Sequence, residues 1–285
     1  MKTIPWRKTA LWILSLVLLL AGCAGAPEPK LTPLTVAALR VGKADALIVT
    51  IGSHTLVIDA GEEDDGQEVV DYLQKHGISA VDAMIITHFD KDHVGGADTV
   101  LEQIPVQEVF VPDYDGTGTE YADFLLAAEA AAVPVMRLTE NRSFPLGDAE
   151  VLIEPPASCE IPAGSADYDN NFSLITTVTH GKNRLVFMGD AEKQRIREWM
   201  EGGSAIPCDF LKVPHHGVYN RALEELFPAL TPKAAVICSS QKHPADPKTL
   251  ELLGRSCPEI FETRDGDVLV ISDGQQLEIH QKTTN

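Results

Sequence analysis

Three apolar runs in this chain stop at side chains that bind cations: "AMIIT" leads into His88, "RLVFMG" into Asp190, and "DFLKVP" into His215 and His216. Each run has the length and apolar character of a buried strand. A sheet holding such strands side by side gathers these imidazoles and carboxylates at one edge, where α/β sheets commonly build their sites. The first strand end is the densest, since "THFDKDHVGG" places His88, Asp90, Asp92 and His93 within six positions. On a loop leaving a strand, side chains at alternate positions converge on one side, while the adjacent Asp92 and His93 can turn toward a second centre. A solvated acidic turn would account for the glycines but has no use for two imidazoles. Neutral imidazole and carboxylate are the donors that zinc- and manganese-type dications accept.

The rest of the chain supports a mixed α/β fold. "LTVAALRVG", "DALIVTIGSHTLVIDAG", "VDAMIIT" and "VQEVFVP" read as strands, and "GQEVVDYLQKHG", "GGADTVLEQI" and "EYADFLLAAEAAA" as helices. Hairpin-like segments such as "NFSLITTVTHGKNRLVFMGD" and "GDVLVISDGQQLEIH" mean that the sheet is not purely parallel. No linker is long enough to divide residues 34–283, so one domain of two similar halves is expected.

The amino terminus reads as a targeting segment. Lys2, Arg7 and Lys8 precede an apolar run from Leu11 to Leu20, too short for a comfortable membrane span of about 20 residues. "LAGC" then resembles the lipobox of bacterial lipoproteins, which implies cleavage after residue 22, lipidation of Cys23 and a tether over residues 23–33. The mature chain is then expected outside the cytoplasmic membrane and attached to it. Loss of Lys2, Arg7 and Lys8 changes the formal charge from −19 to −22, leaving 20 basic against 42 acidic residues. Such a surface argues against tight, broad binding of long nucleic acid, which needs clustered Lys and Arg. It leaves open a phosphoester held by metal ions. Cys159, Cys208, Cys238 and Cys257 lack the paired spacing of a zinc site, and buried or bridged structural thiols are expected.

Taken together, "VGKADALIV", "LVIDAG", "THFDKDHVGG", "NNFSLI", "VFMGDAE", "LKVPHHG" and "HPADPKTLELL" resemble, in order, the metallo-β-lactamase superfamily. Within it they are most similar to the extracytoplasmic hydrolase domain of ComEC-type DNA-uptake proteins and their free-standing relatives. The resemblance spans nearly all of residues 34–280 and implies a four-layer αββα sandwich with two mixed sheets. It also implies two divalent cations, zinc with manganese as the alternative. His88 and Asp90 would hold the first, Asp92 and His93 the second, and Asp190 would bridge them. One of His215 and His216 would complete a metal shell while the other faces substrate or a supporting partner. The adjacency does not choose between them, and we set down His215 as the ligand and His216, with Asp92, as catalytic. Asp59 would orient a ligating imidazole, Asp45 would support in the same way, and Asn171 or Ser173 would reach the site from behind. His243, in "KHPADP", would protonate a leaving group or hold a substrate oxygen. His54, His76, His180 and His280 are expected to be structural or solvated, His180 in a hairpin turn.

The pattern departs from the broad superfamily at Asp90, where a histidine is usual, and this shifts preference from zinc toward manganese. The implied reaction is hydrolysis, because metal coordination lowers the pKa of a water from 15.7 toward about 7. A phosphoester or phosphodiester is the first expectation. A lactone, thioester or β-lactam is the second, and a binding lipoprotein that keeps the fold without catalysis is the third. Neither a G-x-S-x-G elbow nor a G-x-x-x-x-G-K-[ST] phosphate loop occurs.

Overall fold

Alternation along the strands decides the layering. The computed structural model describes residues 30–157 and 167–282; Cys23, the rest of the expected targeting segment up to residue 29, and Cys159 lie outside them. In β1 (Leu34–Ala38) and β2 (Ala46–Ile51), Leu34, Val36, Ala38, Leu47, Val49 and Ile51 point to one face, and Ala37, Ala46 and Ile48 to the other. Both faces are apolar, so this sheet must be covered twice. It continues through β3 (His54–Ala60), β4 (Ala83–Ile85), β5 (Val109–Pro112) and β6 (Val135–Leu138), where β3 to β6 run parallel. The parallel crossovers supply helices α1 (Gly66–Lys75), α2 (Lys91–Val94), α3 (Ala97–Gln103) and α4 (Thr119–Ala130). Val69, Val70 and Leu73 of α1, Val100 and Leu101 of α3, and Phe124 of α4 close one face of the sheet.

The second half repeats this plan. β7 (Arg142–Leu146), β8 (Ala149–Glu154), β9 (Ile175–His180) and β10 (Asn183–Phe187) form antiparallel hairpins. β11 (Phe210–Lys212), β12 (Ala234–Ile237) and β13 (Glu259–Glu262) then add in parallel to β10. Helices α5 (Lys193–Glu201), α6 (Leu223–Leu230) and α7 (Pro247–Leu253) cover the outer face through Ile196, Trp199, Leu226, Phe227 and Leu253. The closing hairpin, β14 (Val268–Ser272) and β15 (Leu277–Gln281), returns to the first sheet beside β1. The result is an eight-stranded and a seven-stranded mixed sheet, with Val36, Val49, Phe110, Ile153, Phe187, Phe210 and Val236 packed between them. The expected four-layer αββα arrangement is therefore observed.

His180 differs from its sequence reading in place, though it is no ligand. It ends β9 fully buried, and its Nδ1 shares a 2.7 Å hydrogen bond with the Ser272 hydroxyl, joining the second sheet to β14 of the first. Cys208, Cys238 and Cys257 are free and buried. Burial pushes the Cys208 thiol up to about 12 and Cys257 to about 11, and raises Cys238 well above its ordinary value. All three are expected to resist a disulfide reagent at neutral pH until the chain is unfolded; rapid native-state labelling at any of them, located by peptide mass mapping, would contradict this burial. Among the described residues no helix is long and apolar enough to cross a membrane.

Candidate metal centre

The site forms where the parallel strands of both sheets end. Thr87, His88 and the short helix α2 follow β4, Gly189 and Asp190 follow β10, and His215 and His216 follow β11. The glycine pair after His93 has a steric origin. A Cβ on Gly96 would lie 2.4 Å from the Ala60 carbonyl oxygen and 2.5 Å from the Gly66 nitrogen, and one on Gly95 would lie 2.4 Å from the Lys91 oxygen. These glycines let the end of β3, the start of α1 and the α2 turn meet, which seats His93 behind Asp59.

His93 is fully buried between two carboxylates. Its Nδ1 donates to Asp59 Oδ2 at 2.8 Å, and its Nε2 faces Asp190 Oδ1 at 3.3 Å. Asp59 also accepts from the Thr87 amide and hydroxyl, both at 2.7 Å, so the aspartate that orients the ring is itself held. Asp59 adopts φ +59°, in the left-handed region that residues other than glycine enter at a cost on the order of 1 kcal/mol. His216 follows the same scheme. Its Nδ1 donates to the Cys238 carbonyl at 3.2 Å, and its Nε2 lies 3.0 Å from Asp190 Oδ2 and 3.4 Å from Asp92 Oδ2. With each Nδ1 proton committed outward, each Nε2 carries a lone pair inward, as a metal-ligating imidazole requires.

Donor atoms of His88, His93 and Asp190 fall within 4.8 Å of one another, as do those of Asp92, His93 and His216, and those of Asp45, Asp190 and His216. The Nε2 atoms of His88, His93 and His216 and Oδ1 of Asp190 are buried without a hydrogen bond. Buried orphan donors facing one another are costly unless something satisfies them. Their number and N/O chemistry suit one or two divalent cations.

Burial would raise the Asp190 carboxyl, but the His216 and His93 imidazoles beside it reverse this and hold it well below the usual range. Asp92 is likewise held low against its burial by His216, His93 and Lys43, whose Nζ lies 2.6 Å from Asp92 Oδ2. For His93, burial acts downward and the Asp190 and Asp59 carboxylates act upward more strongly, leaving it well above its ordinary value. His216 is raised to about 8 by Asp190 and Asp92, against the effect of burial.

Some assignments change with the geometry. His216, set down above as catalytic, lies among the carboxylates, while His215, set down as the ligand, stays 3.9 Å from Asp190 Oδ2. His215 instead directs its Nδ1 to Glu192 Oε1 at 2.5 Å and is partly exposed. The cause is local backbone. His215, His216 and Gly217 all take positive φ (46°, 51° and 76°), and this left-handed run throws the two rings to different sides. Asp90 stands at the rim, its side chain 42% exposed and 3.6 Å from His88 Nε2. Burial raises its carboxyl, and the neighbouring His88 brings it below the ordinary value.

Asn171 points away from the centre, giving its amide to the Asp167 carbonyl and accepting from the Arg195 amide. Residues 170–172 form a three-residue-per-turn helix, so residues 170 and 173 share a face and 171 does not. Asn170 accordingly lies 3.5 Å from His215 Nε2, and the Ser173 hydroxyl accepts from the Asp190 amide at 3.1 Å. His243 lies on the exposed loop after β12, outside the donor clusters.

Lys212 escaped the sequence reading. It continues the parity of Phe210 toward the space between the sheets, is fully buried, and places Nζ against Asp45 Oδ2, 3.0 Å from the Gly189 carbonyl and 3.6 Å from Asp190 Oδ1. Asp45 in turn stands 3.5 Å from His216 Nδ1 and 3.9 Å from His93 Nδ1. The available signal was a lysine inside an otherwise apolar strand, "DFLKV". Thr87 and Glu192 were missed for a similar reason, since both lay inside quoted motifs without being given a role.

Residues 39–166 match the model of the Metallo-beta-lactamase superfamily. ComE operon protein 3 of Bacillus subtilis is 29% identical over 202 residues, which cover 70% of this chain and 25% of that protein. Recombination protein 2 of Haemophilus influenzae is 28% identical over 255 residues, 86% of this chain and 30% of that protein. Among solved structures, the metallo-beta-lactamase fold protein YhfI from Bacillus subtilis superposes with a TM-score of 0.54 at 9% identity, over 87% of this chain and all of that one.

The chain has the metallo-β-lactamase fold, and its residues 39–166 are similar in sequence to that superfamily.

It spans a quarter of the first curated relative and under a third of the second. The likeness to YhfI is one of fold. The candidate ligands double as proton acceptors, which predicts opposed pH responses. Because a ligating imidazole must lose its proton, displacement of the His216 proton should make cation affinity rise roughly tenfold per pH unit up to about pH 8. Without cation, the raised His216 pKa contributes stability that is complete below about 6.5 and fades as pH rises through about 8. Chelator-competition titrations from pH 6 to 9 measure the first effect, and melts of chelated protein measure the second. An affinity independent of pH below 8 would argue against His216 as a ligand.

Proposed function

We propose that this chain is a metal-dependent hydrolase acting on phosphoesters, tethered outside the cytoplasmic membrane through a lipidated Cys23. The observation that carries the hydrolase reading is the convergence of His88, His93, Asp92, Asp190 and His216, with three Nε2 atoms directed inward. The residues fit divalent cations: His88, Asp190 and the rim carboxylate Asp90 would hold one, and Asp92, His93 and His216 would hold a second. When bound, such cations would supply Lewis acidity that favours loss of a proton from water near neutral pH and offsets charge at the reacting centre. Zinc or manganese suits this donor set, and the carboxylate at position 90 favours the latter.

The chain's own residues do the rest. Asp59 and the Cys238 carbonyl fix the tautomers of His93 and His216. Lys212 and Asp45 hold the floor of the site, and the Ser173 hydroxyl holds the Asp190 backbone. His215, partly exposed beside the centre and tied through Nδ1 to the Glu192 carboxylate, is placed to take a proton at Nε2 and then pass it to a departing oxygen. The ligand role expected for it from the sequence passes to His216, whose Nε2 lies among the carboxylates. No side-chain nucleophile is required.

The preference for phosphoesters is supported by the resemblance to ComEC-type hydrolase domains and by the oxygen-rich donor set. A screen of the zinc- or manganese-loaded chain on bis-p-nitrophenyl phosphate, single-stranded DNA, phosphocholine esters and nitrocefin tests it. Turnover of a phosphodiester is expected. Turnover of nitrocefin alone would transfer the reading to acyl substrates, and no bound metal after growth in zinc and manganese would leave a binding protein.

A further inference from the structure

A cleft of about 590 Å³ opens beside the candidate metal centre, within the roughly 300–1,000 Å³ of small-ligand sites. Its lining reverses the charge of the molecule. Arg40, Lys43, Lys242 and Arg264 face it against two carboxylates, Glu62 and Asp65, whereas the whole chain has 23 basic and 42 acidic residues. Both carboxylates are engaged elsewhere: Asp65 Oδ2 accepts from the Glu62 amide at 2.8 Å, and Glu62 Oε1 pairs with Lys91 at 3.4 Å. Ser240 and His243 add polar groups from the loop after β12. Two of the four cations also pair with carboxylates behind the lining, Arg264 with Glu262 Oε1 at 2.7 Å and Lys43 with Asp92 Oδ2 at 2.6 Å, which holds them in place at the cleft.

The cleft is joined to the centre by two elements. Lys43 lines it while its ammonium contacts Asp92. The strand end at Cys238, whose carbonyl receives the His216 proton, continues directly into Ser239 and Ser240 of the lining. An anion in the cleft is therefore about one lysine side chain away from the ligand carboxylates. Arginine and lysine side chains in a concave, partly desolvated setting are the groups that bind phosphate oxygens most strongly.

Resting on the phosphoester reading above, we propose that this cleft is the subsite for a second phosphate of the substrate. The enzyme then selects phosphodiesters that carry a phosphate beyond the scissile one, as a nucleotide unit within a strand does. Positive charge confined to the cleft grips the neighbouring phosphate, while the acidic remainder of the surface rejects a long polyanion laid across it.

Two measurements on the full chain test this, one of them without turnover. In chelated protein, calorimetric titration compares thymidine 3′,5′-bisphosphate with thymidine 5′-monophosphate. The bisphosphate is expected to bind about tenfold or more tightly, the scale of hydrogen bonds to a charged group. In metal-loaded protein, thymidine 5′-(p-nitrophenyl phosphate) is compared with its 3′-phosphorylated form, and the latter is expected to have the lower KM by a similar factor. Arg40→Glu with Lys242→Glu should erase both preferences to within about twofold. Lys75→Glu with Arg197→Glu, the same charge change outside the cleft, should retain them. Lys242→Ala, with circular dichroism as a folding check, serves if the double reversal does not fold, and should diminish the preference. Equal affinities in the unaltered chain, or equal losses from both reversal pairs, would overturn the subsite. Turnover of neither ester would sink the phosphoester reading separately, leaving the titration to decide the cleft.

Discussion

Replacing His93 by alanine is expected to lower hydrolysis by more than about 100-fold and to weaken cation binding by at least as much. An outer partner of a ligand typically contributes 10–100-fold, and His93 is itself a candidate ligand shared by three donor groups. Its Nε2 lies among the buried orphan donors, and its Nδ1 is the terminus of the Asp59 and Thr87 hydrogen bonds. Removal therefore takes a donor and leaves Asp59 with one partner fewer. Asp59→Ala should cost less, within the 10–100-fold range, because the imidazole remains and only its orientation is lost. His215→Ala should reduce turnover yet leave the number of bound cations unchanged, whereas His216→Ala should reduce both. Metal analysis beside steady-state kinetics separates the cases; a His93→Ala protein with full activity would remove the centre from consideration.

Substituting Lys212 by methionine is expected to destabilise the chelated protein by about 3–5 kcal/mol, since breaking a buried ion pair strands the partner charge. For a domain of this size that is a fall in Tm of roughly 6–20 °C. Lys212 is fully buried and holds Asp45 and the Gly189 carbonyl, so the stranded group is the Asp45 carboxylate. The second substitution Asp45→Asn should return part of the loss by removing that charge. Saturating cation should shrink the deficit, because added positive charge near Asp45 and Asp190 partly takes the place of the ammonium. Denaturant titrations of the two single variants and the double variant form the cycle, and a Lys212→Met protein as stable as the parent would show that the pair does not support the site.

Much of the site was visible in the sequence because strand ends are local. An apolar run, a stop and a cluster of imidazoles and carboxylates can be read from contiguous residues, and a parallel sheet then has little choice but to line such ends up. The αββα layering also follows from local alternation: Leu47, Val49 and Ile51 against Ala46 and Ile48 demand cover on both faces. Asp59, at the end of "LVIDA", was placed behind an imidazole by resemblance, and its geometry shows the 2.8 Å bond to His93 that such a role needs.

Direction was not visible. His215 and His216 are neighbours in the chain, yet consecutive left-handed residues send one ring to Glu192 and the other to Asp190 and Asp92. Asn170 and Asn171 exchange roles because a tight helical turn selects every third residue. Lys212 looked like a strand residue of no account, since its value depends on Asp45, which lies more than 160 positions earlier.

The sequence by itself determined which kinds of atom this protein can offer and at which strand ends, because residue type and alternation are properties of short segments. Only the tertiary structure decided which of those atoms meet, which carboxylate is countered by a buried ammonium, and where an acidic chain gathers a basic cleft. Those outcomes depend on distances between segments remote in the chain, and no local pattern encodes such distances.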